Sequence, residues 1–393
     1  MKDRLILTFN AGSSTIKIGV FRESVASAQP IAKGIVDLRH DPLVFRLTSE
    51  GGLAELPLKS KGEGQFSGIL NEILGVLDTH FDLSTLNVTG HRVVHGGDRF
   101  SGPTRITDET IRSIESLVEL APLHQPQNLR MIRTLAALRP DLPQTASFDT
   151  AFHRSQSPLV QRFALPREWY DRGVKRYGFH GLSYAYIARE LTQLEPERAG
   201  GRAVVAHLGS GASLCAMEHG VSRDTSMGFS TVDGIPMATR SGALDPGVVF
   251  HLINGLGLSA RIVEDMIYKK SGLLGLSGIS GDSRVLLESA EPEAWEAIDI
   301  FTMRIAGEIA RLAATVGGLD TIVFTAGIGE NQPAIRKAVC DRLRFLGVVV
   351  DENANDRNAA VISETHQPVT VRIIATDEEQ VIADEAVAAL KWR

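Results

Sequence analysis

The chain has only two cysteines, Cys215 and Cys340, and both sit in apolar sequence. Two such thiols make no disulfide framework; they read as buried free thiols in a reducing compartment, which predicts a cytoplasmic protein. No apolar run reaches the roughly 18 residues that a membrane-spanning helix needs. Lys2 and Arg4 precede apolar residues, but that run stops at Asn10, so it reads as a first core strand and not as a signal peptide. There is no excess of positive charge. Against 47 Asp and Glu stand 41 Lys and Arg, a net charge of −6, which gives no footprint for nucleic acid. Two phosphate-binding signatures are also missing: a Gly-x4-Gly-Lys-Ser/Thr loop, and Gly-x-Gly-x-x-Gly after a strand. On this count the chain is neither a P-loop nor a Rossmann protein. What remains is ordinary for a globular enzyme, 43% hydrophobic and 22% charged, and 393 residues predict two domains.

One local design is used twice. Leu5-Ile6-Leu7-Thr8-Phe9 enters the polar turn Asn10-Ala11-Gly12-Ser13-Ser14-Thr15 and leaves as Ile16-Lys17-Ile18-Gly19-Val20-Phe21. The plan recurs as Ala203-Val204-Val205-Ala206-His207-Leu208, then Gly209-Ser210-Gly211-Ala212-Ser213, then Leu214-Cys215-Ala216-Met217. Small residues at a hairpin tip let phosphate oxygens approach backbone N–H groups. Two such hairpins predict a duplicated fold that grips a polyphosphate from both sides.

The rest of the chain alternates strand and helix. Residues 1–60 read as short strands with turns at Ala28-Gln29-Pro30, Asp41-Pro42 and Gly51-Gly52. Helical spacing runs from Gln65 to Phe81, and Thr107 caps a helix carrying Asp108 and Glu109 in its first turn. Another helix follows Pro126, and strands cover Val88–Val94 and Thr145–Phe148. In the second half, helices are predicted near 259–270 and over Pro292–Val316. The buried strand Thr321–Thr325 breaks at Ala326-Gly327-Ile328-Gly329-Glu330-Asn331, with a helix from about Pro333, a geometry suited to phosphate or nucleotide. Strand Val369–Ile374 precedes a C-terminal helix whose start, Thr376-x-x-Glu379, reads as a capping box. Its apolar residues Ile382, Ala386, Val387 and Leu390 predict packing on the first lobe.

Six segments offer chemistry, each with a plain structural alternative. Arg92, in His91-Arg92-Val93-Val94-His95-Gly96-Gly97, has the fork geometry to grip a carboxylate, or forms an internal salt bridge. His91 and His95 are packed histidines or, less favourably, metal ligands; at i,i+4 on a strand they lie ~13 Å apart. Asp149, after the strand ending Ser147-Phe148, holds a metal, acts as a base, or caps the next segment. His180, in Arg176-Tyr177-Gly178-Phe179-His180-Gly181, stabilises a transferring phosphoryl group or is a core histidine. Arg240, in Thr239-Arg240-Ser241-Gly242, is a phosphate clamp or a solvated loop residue. Asp282-Ser283-Arg284 holds an adenosine or starts a helix. If the capping box uses Glu379, then Glu378 is the carboxylate left for magnesium, through water, or a solvated first-turn acid.

The ordered set of these motifs, from residue 9 to 379, resembles the acetate kinase family, a branch of the sugar kinase, actin and heat-shock chaperone superfamily. The resemblance rests on Asn10-Ala11-Gly12-Ser13-Ser14 with Lys17, His91 to Gly97, Phe148 to His153, Tyr177 to Gly181, His207 to Ser213, Arg240 to Gly242, Gly327 to Asn331, and Glu378-Glu379. It implies an α/β protein with a two-lobed, duplicated actin-like or ribonuclease H-like fold, each lobe a mixed sheet flanked by helices, with the active site in the interdomain cleft. Residues 1–149 with about 379–393 would be the acceptor and metal lobe, and 150–378 the nucleotide and dimerisation lobe. The implied reaction is reversible, direct transfer of the ATP γ-phosphate to acetate, giving acetyl phosphate and ADP, with magnesium or manganese as cofactor. By the same resemblance Asn10 and Glu378 serve the metal. Lys17, His207, Leu208, Gly209, Ser210, Gly211, Asp282, Ser283, Arg284, Gly327, Ile328, Gly329, Glu330 and Asn331 hold ATP. Arg92, Val94, Leu123, Phe179 and Thr231 bind the acyl substrate. Asp149, His180 and Arg240 are catalytic. The implied assembly is a homodimer with no nucleic acid or membrane partner.

Acetate is already ionised at neutral pH, since carboxylic acids titrate near ~4–5. The acceptor therefore has no proton to give up, and Asp149 is better suited to orient metal or acceptor than to act as a base. The sequence departs from the family pattern at Gln125 (usually Asn), Leu182 and Tyr184 (Thr and His), Ala243 (Asp) and Ala326 (Gly). Thr231 replaces a proline in the acyl-pocket wall, which leaves a propionate or butyrate kinase as the alternative. A nucleotide-gated binding protein like actin or the chaperones is a remote alternative, because Arg92, His180 and Arg240 have no use there.

Overall fold

The computed structural model describes residues 4–12, 15–24, 27–60, 66–194 and 201–391. Ser13 and Ser14 of the first hairpin tip, and Lys2 and Gln65, lie outside the described residues. The chain divides into two units. Unit 1 is Met1–Phe152 with Gly181–Tyr186 and Asp377–Arg393; unit 2 is His153–His180 with Ile187–Thr376.

Unit 1 is built on strands β1 (Leu5–Ala11), β2 (Thr15–Arg22), β3 (Gln29–Asp37), β4 (Val44–Ser49), β5 (Gly52–Pro57), β6 (Leu86–Val93), β7 (Thr104–Arg105) and β8 (Gln144–Phe148). They form one sheet in the order β5-β4-β3-β2-β1-β6-β8-β7. Unit 2 carries β9 (Arg202–Leu208), β10 (Ala212–Glu218), β11 (Val221–Thr225), β12 (Thr321–Thr325) and β13 (Thr370–Ile373), in the order β11-β10-β9-β12-β13. The core of the first sheet, β3-β2-β1-β6-β8, matches the second strand for strand. In each, the first three strands are an antiparallel meander. In each, a fourth strand pairs parallel with the first and a fifth pairs parallel with the fourth. The duplication expected from the two Gly/Ser hairpins is thus present in both sheets.

Strand parity explains how unit 1 is layered, because successive side chains point to opposite faces. Leu5, Leu7 and Phe9 face one core with helices Phe66–His80 and Gln125–Leu138. Ile6 faces the other way, onto Ala383, Ala386 and Val387 of helix Glu378–Lys391. β1 is buried on both faces and accordingly reads as a near-continuous apolar run. On β6, Gly90 allows that helix to lie close: a Cβ there would stand 2.6 Å from Ile382 Cγ2. Asn10 and Arg92 share the parity of Ile6 and Gly90, so both project on the face that the start of helix Glu378–Lys391 covers. In unit 2 the long helix Pro292–Thr315 buries Ala294, Ala297, Ile298, Phe301, Ile305, Ile309 and Leu312 at helical spacing and packs on β9, β10 and β11.

Three expectations are corrected. No turn is centred on Ala28-Gln29-Pro30, since Gln29 and Pro30 already belong to β3. The 326–331 segment is no open turn: helix Ala326–Asn331 starts directly after β12, with Ala326 in the left-handed region (φ 64) making the change of direction. The Thr376-x-x-Glu379 capping box does not form. Helix Glu378–Lys391 is entered through Asp377, whose carboxylate accepts from Gln380 N at 3.1 Å, while Thr376 Oγ1 is buried without a partner. The cap sits one residue later, so Glu379 is released for another role.

Candidate functional site

In unit 1 the carboxyl ends of β1, β6 and β8 place Asn10, Arg92 and Asp149 side by side, the place where open α/β sheets bind ligands. Arg92 donates from Nε and Nη2 to the two Asp149 oxygens at 2.9 and 2.6 Å, and from Nη1 to Asn10 Oδ1 at 3.1 Å. Asn10 Nδ2 in turn donates to Glu378 at 2.7 Å and to Glu379 at 3.0 Å. The Arg92 and Asp149 side chains are 16% and 1% exposed. Burial by itself works against the Arg92 charge, but Asp149, Glu378 and Glu379 outweigh it and raise its pKa, so Arg92 is a permanent cation. The Glu379 carboxyl is pushed up, first by burial and then by Glu378, against the pull of Lys17. Lys17 stands opposite Asn10 in the β1–β2 register and is exposed. Val94 is buried and its N–H donates to Asn128 Oδ1 at 3.1 Å. Leu123 is half-exposed, just before Gln125, whose side chain bonds both His95 N and His95 O.

In unit 2 the remaining candidates form one contiguous patch. His180 takes a left-handed backbone (φ 57), bonds Ser213 Oγ through Nδ1 at 2.8 Å, and stacks on His207 with ring centroids 4.3 Å apart. A Cβ on Gly211 would stand 3.5 Å from His180 Nε2 and 3.7 Å from Arg240 Nη1, so the glycine turn, the imidazole and the guanidinium face one small space. Arg240 Nη1 donates to the Thr231 carbonyl at 2.9 Å, and Thr231 is buried. Ala238 N donates to Ser210 O at 3.2 Å, and Gly281 packs so closely on the Ala238 carbonyl that a Cβ would reach it at 2.8 Å. That brings the 282–284 segment beside the 209–211 turn. A Cβ on Gly209 would lie 3.8 Å from that of Ala326, where helix Ala326–Asn331 begins. Glu330 ties that helix down by accepting from Ala326 N at 2.8 Å and from Thr376 N at 3.1 Å. Gly327 and Asn331 are exposed, Ile328 is half-buried, and Leu208 and Gly329 are buried. Phe179 is buried and precedes His180 directly.

Some plain alternatives hold in the structure. Asp282 caps helix Ser283–Glu288 and pairs with Arg284, whose side chain is 76% exposed. His91 and His95 are packed: His91 Nε2 meets Gln144 Oε1 at 2.7 Å and His95 Nδ1 accepts from Gly97 N at 3.0 Å. Burial draws both down to about 4, so they are neutral. Two polar residues central to these clusters escaped the sequence reading. Glu379 was assigned to a cap that forms without it; the adjacent acid pair Glu378-Glu379 was the available signal. Ser213 lay inside the second hairpin, with nothing to mark its hydroxyl.

The donors around Asn10 are amide and carboxylate oxygens, the ligands a hard dication takes. Three carboxylates there, Asp149, Glu378 and Glu379, face the buried cation Arg92 and the exposed Lys17, so a further positive charge suits the cluster. Among the described residues no three His, Cys, Asp or Glu side chains close on one point. A cation would take one or two protein oxygens and complete its shell elsewhere, as magnesium does with phosphate and water. Among the described residues no helix is long and apolar enough to cross a membrane.

The sequence profile of the Acetokinase family matches residues 5–384. An acetate kinase of Rhodopseudomonas palustris is 45% identical over 388 residues, 96% of either chain. One of Methylocella silvestris is 43% identical over 396 residues, 98% of either chain. Among solved structures, a propionate kinase from Francisella tularensis superposes with a TM-score of 0.91 at 32% identity, over 98% of this chain and 99% of that one. An acetate kinase from Porphyromonas gingivalis gives 0.86 at 35% identity, over 99% and 100%.

Proposed function

The chain belongs to the acetokinase family, phosphotransferases with a carboxyl group as acceptor, and from that premise we propose that it moves the γ-phosphoryl of ATP reversibly onto acetate, giving acetyl phosphate and ADP. The observation that carries this reading is the Arg92 fork at the ends of β1, β6 and β8, held in orientation by Asp149 and Asn10. Two of its edges are engaged, and the unused N–H groups of Nη1 and Nη2 are the donors that would take an acyl carboxylate.

In the forward direction an acetate oxygen attacks the γ-phosphorus and the bond to the β,γ-bridging oxygen breaks, leaving ADP. Little covalent work falls to the protein; positioning and charge stabilisation carry such transfers. Arg92 holds the acceptor, and by the family resemblance Val94, Leu123, Phe179 and Thr231 are the residues assigned to its acyl group. Asp149 aligns Arg92 and so the attacking oxygen. His180 and Arg240 stabilise the charge spread over the transferring phosphoryl group. The 207–211 turn, the 282–284 segment, the 327–331 helix and Lys17 hold the nucleotide. Magnesium, held by Asn10 and Glu378, would neutralise charge on the terminal phosphates. Cytoplasmic residence and a homodimer complete the reading, supported respectively by the two buried thiols Cys215 and Cys340 and by the family resemblance; sedimentation tests the second.

A propionate preference is the second reading, favoured by Thr231 in the pocket wall and by the Francisella propionate kinase among the neighbours. One methylene discriminates by only about 1–3 kcal/mol. Trapping acyl phosphate as the hydroxamate with formate, acetate, propionate and butyrate decides it: acetate should give the highest kcat/KM, a propionate maximum supports the second reading, and ATP hydrolysis without hydroxamate refutes both.

A further inference from the structure

We infer that His153 is a positioning residue for His180: it holds the Phe179 carbonyl from inside unit 2 and so fixes the backbone on which the His180 ring is mounted, an inference that rests on the role proposed above for His180. Residues 176–180 belong to no helix or strand, so no ladder fixes His180, although its left-handed backbone needs support. One end of the segment is tied by Tyr177 N and Gly178 N, which donate to Gly228 O at 2.9 and 3.3 Å. The other end is tied by His153, whose Nε2 meets Phe179 O at 2.9 Å.

The proton positions follow from the partners. A carbonyl oxygen only accepts, so His153 Nε2 carries the hydrogen. In a neutral ring Nδ1 is then an acceptor, and Ser222 Oγ lies 2.8 Å from it. Ser222 Oγ in turn accepts from Gln156 Nε2 at 3.1 Å. The result is a one-way chain, Gln156 to Ser222 to His153 to Phe179 O, and its three side chains are all buried. Burial draws the His153 pKa down to about 4, so the chain keeps its direction at neutral pH. The ring also fills the volume that Gly178 leaves open, where a Cβ would come within 2.6 Å of His153 Cδ2. Ser155 Oγ, bonded to Ser222 O at 2.9 Å, pins the short helix carrying His153 to β11. His180 is therefore located from two strands: through its own ring by Ser213 on β10, and through its backbone by His153, itself held by Ser222 on β11.

The test is a double-mutant cycle read by kcat, KM and melting temperature. His153→Leu keeps volume and removes the hydrogen bonds at both ring nitrogens; His153→Gln keeps an N–H where Nε2 stands. His153→Leu should lower kcat about 100-fold, the scale of a misplaced catalytic group, with KM for ATP and acetate within about twofold. His153→Gln should recover most of that loss. In a His180→Ala background His153→Leu should cost nothing further, because the two act through one group. An equal loss of kcat in both backgrounds overturns the inference and leaves the role of His180 standing. An unchanged kcat in His180→Ala alone removes that role, and the inference falls with it. Loss of thermal stability with unchanged kcat in His153→Leu makes the residue merely structural and also overturns it. If His153→Leu does not fold, Ser222→Ala, which removes the hydroxyl between Gln156 and Nδ1, takes its place in the cycle with the same outcomes.

Discussion

Asp149→Asn separates alignment from proton transfer. The wild-type carboxylate accepts two N–H bonds from Arg92, at 2.9 and 2.6 Å, and is 1% exposed. The amide has one oxygen, so one bond survives and an NH2 group is set against a guanidinium N–H. Breaking a buried pair from one side costs ~3–5 kcal/mol. Glu378 and Glu379 also support the Arg92 charge, which places the expected loss at about 3 kcal/mol, the low end of that range. The catalytic loss is larger than stability alone explains. With Arg92 free to turn, the acceptor oxygen is misaligned, and about 1 Å of misplacement costs ~100-fold in rate. Acetate carries no proton to remove near neutral pH, so the loss should be the same at every pH. Hydroxamate-coupled kcat measured from pH 6 to 9, with urea unfolding of the same samples, tests both numbers. Activity that climbs towards wild type as pH rises would reinstate a base, and an unchanged unfolding midpoint would refute the energetic argument for the pair.

Gly181 N donates to Asp149 O at 3.0 Å, and a Cβ at 181 would collide with that carbonyl and come within 2.9 Å of Phe152 Cβ. Gly181→Ala should therefore destabilise by ~1–3 kcal/mol in urea unfolding, and a change under about 0.5 kcal/mol would show that the backbone yields freely. Burial pushes the Glu385 carboxyl up to about 7, and its Oε2 has no partner. A folded-state pKa above the unfolded one means that the native state holds the proton more tightly. That contribution to stability is full below the ordinary carboxyl pKa and is lost as pH rises to about 7, on the order of 3 kcal/mol in all. Glu385→Gln should flatten the stability curve between pH 5 and 7.5, and an unchanged slope counts against this. Arg336 is fully buried and donates to Gly329 O, Asn355 O, Asn355 Oδ1 and Asn358 Oδ1. Arg336→Met leaves Gly329 O, Asn355 O and Asn355 Oδ1 buried without their donor and should cost about 3 kcal/mol or more, as well as weaken nucleotide binding through Gly329; a stable variant with unchanged ATP KM would contradict both.

The sequence pattern carried the layering well, because it depends on period and parity. Leu5, Leu7 and Phe9 against Ile6, Thr8 and Asn10 is legible as two faces of one strand, and Asn10 therefore belongs with whatever covers Ile6. The helix that covers it was legible too, from Ile382, Ala386, Val387 and Leu390. Arg92 and Asp149 could be singled out as strand-end residues; that they bind each other in two places could not, since parallel register is set by the whole sheet. What stayed hidden were the buried polar partners. Thr376-x-x-Glu379 and Asp377-x-x-Gln380 are both acceptable caps by residue type, and only packing against Asn10 decides between them. His153 and Arg336 gave no local sign of their roles, because each one's partners, Ser222 and Phe179 for the first, Gly329 and Asn355 for the second, lie at separations that periodicity does not reach.

Asn10 and Glu378 are hydrogen-bonded across a separation of 368 residues. During synthesis the strand bearing Asn10 therefore leaves the ribosome long before the helix that completes its surroundings. Until that helix arrives, Ile6, Phe21 and Val88 have no cover and the Arg92–Asp149 pair lacks the two glutamates. Catalytic competence waits on that helix, and a chain interrupted before Asp377 is not a weaker enzyme but an unfinished one, with a greasy sheet face available to chaperones.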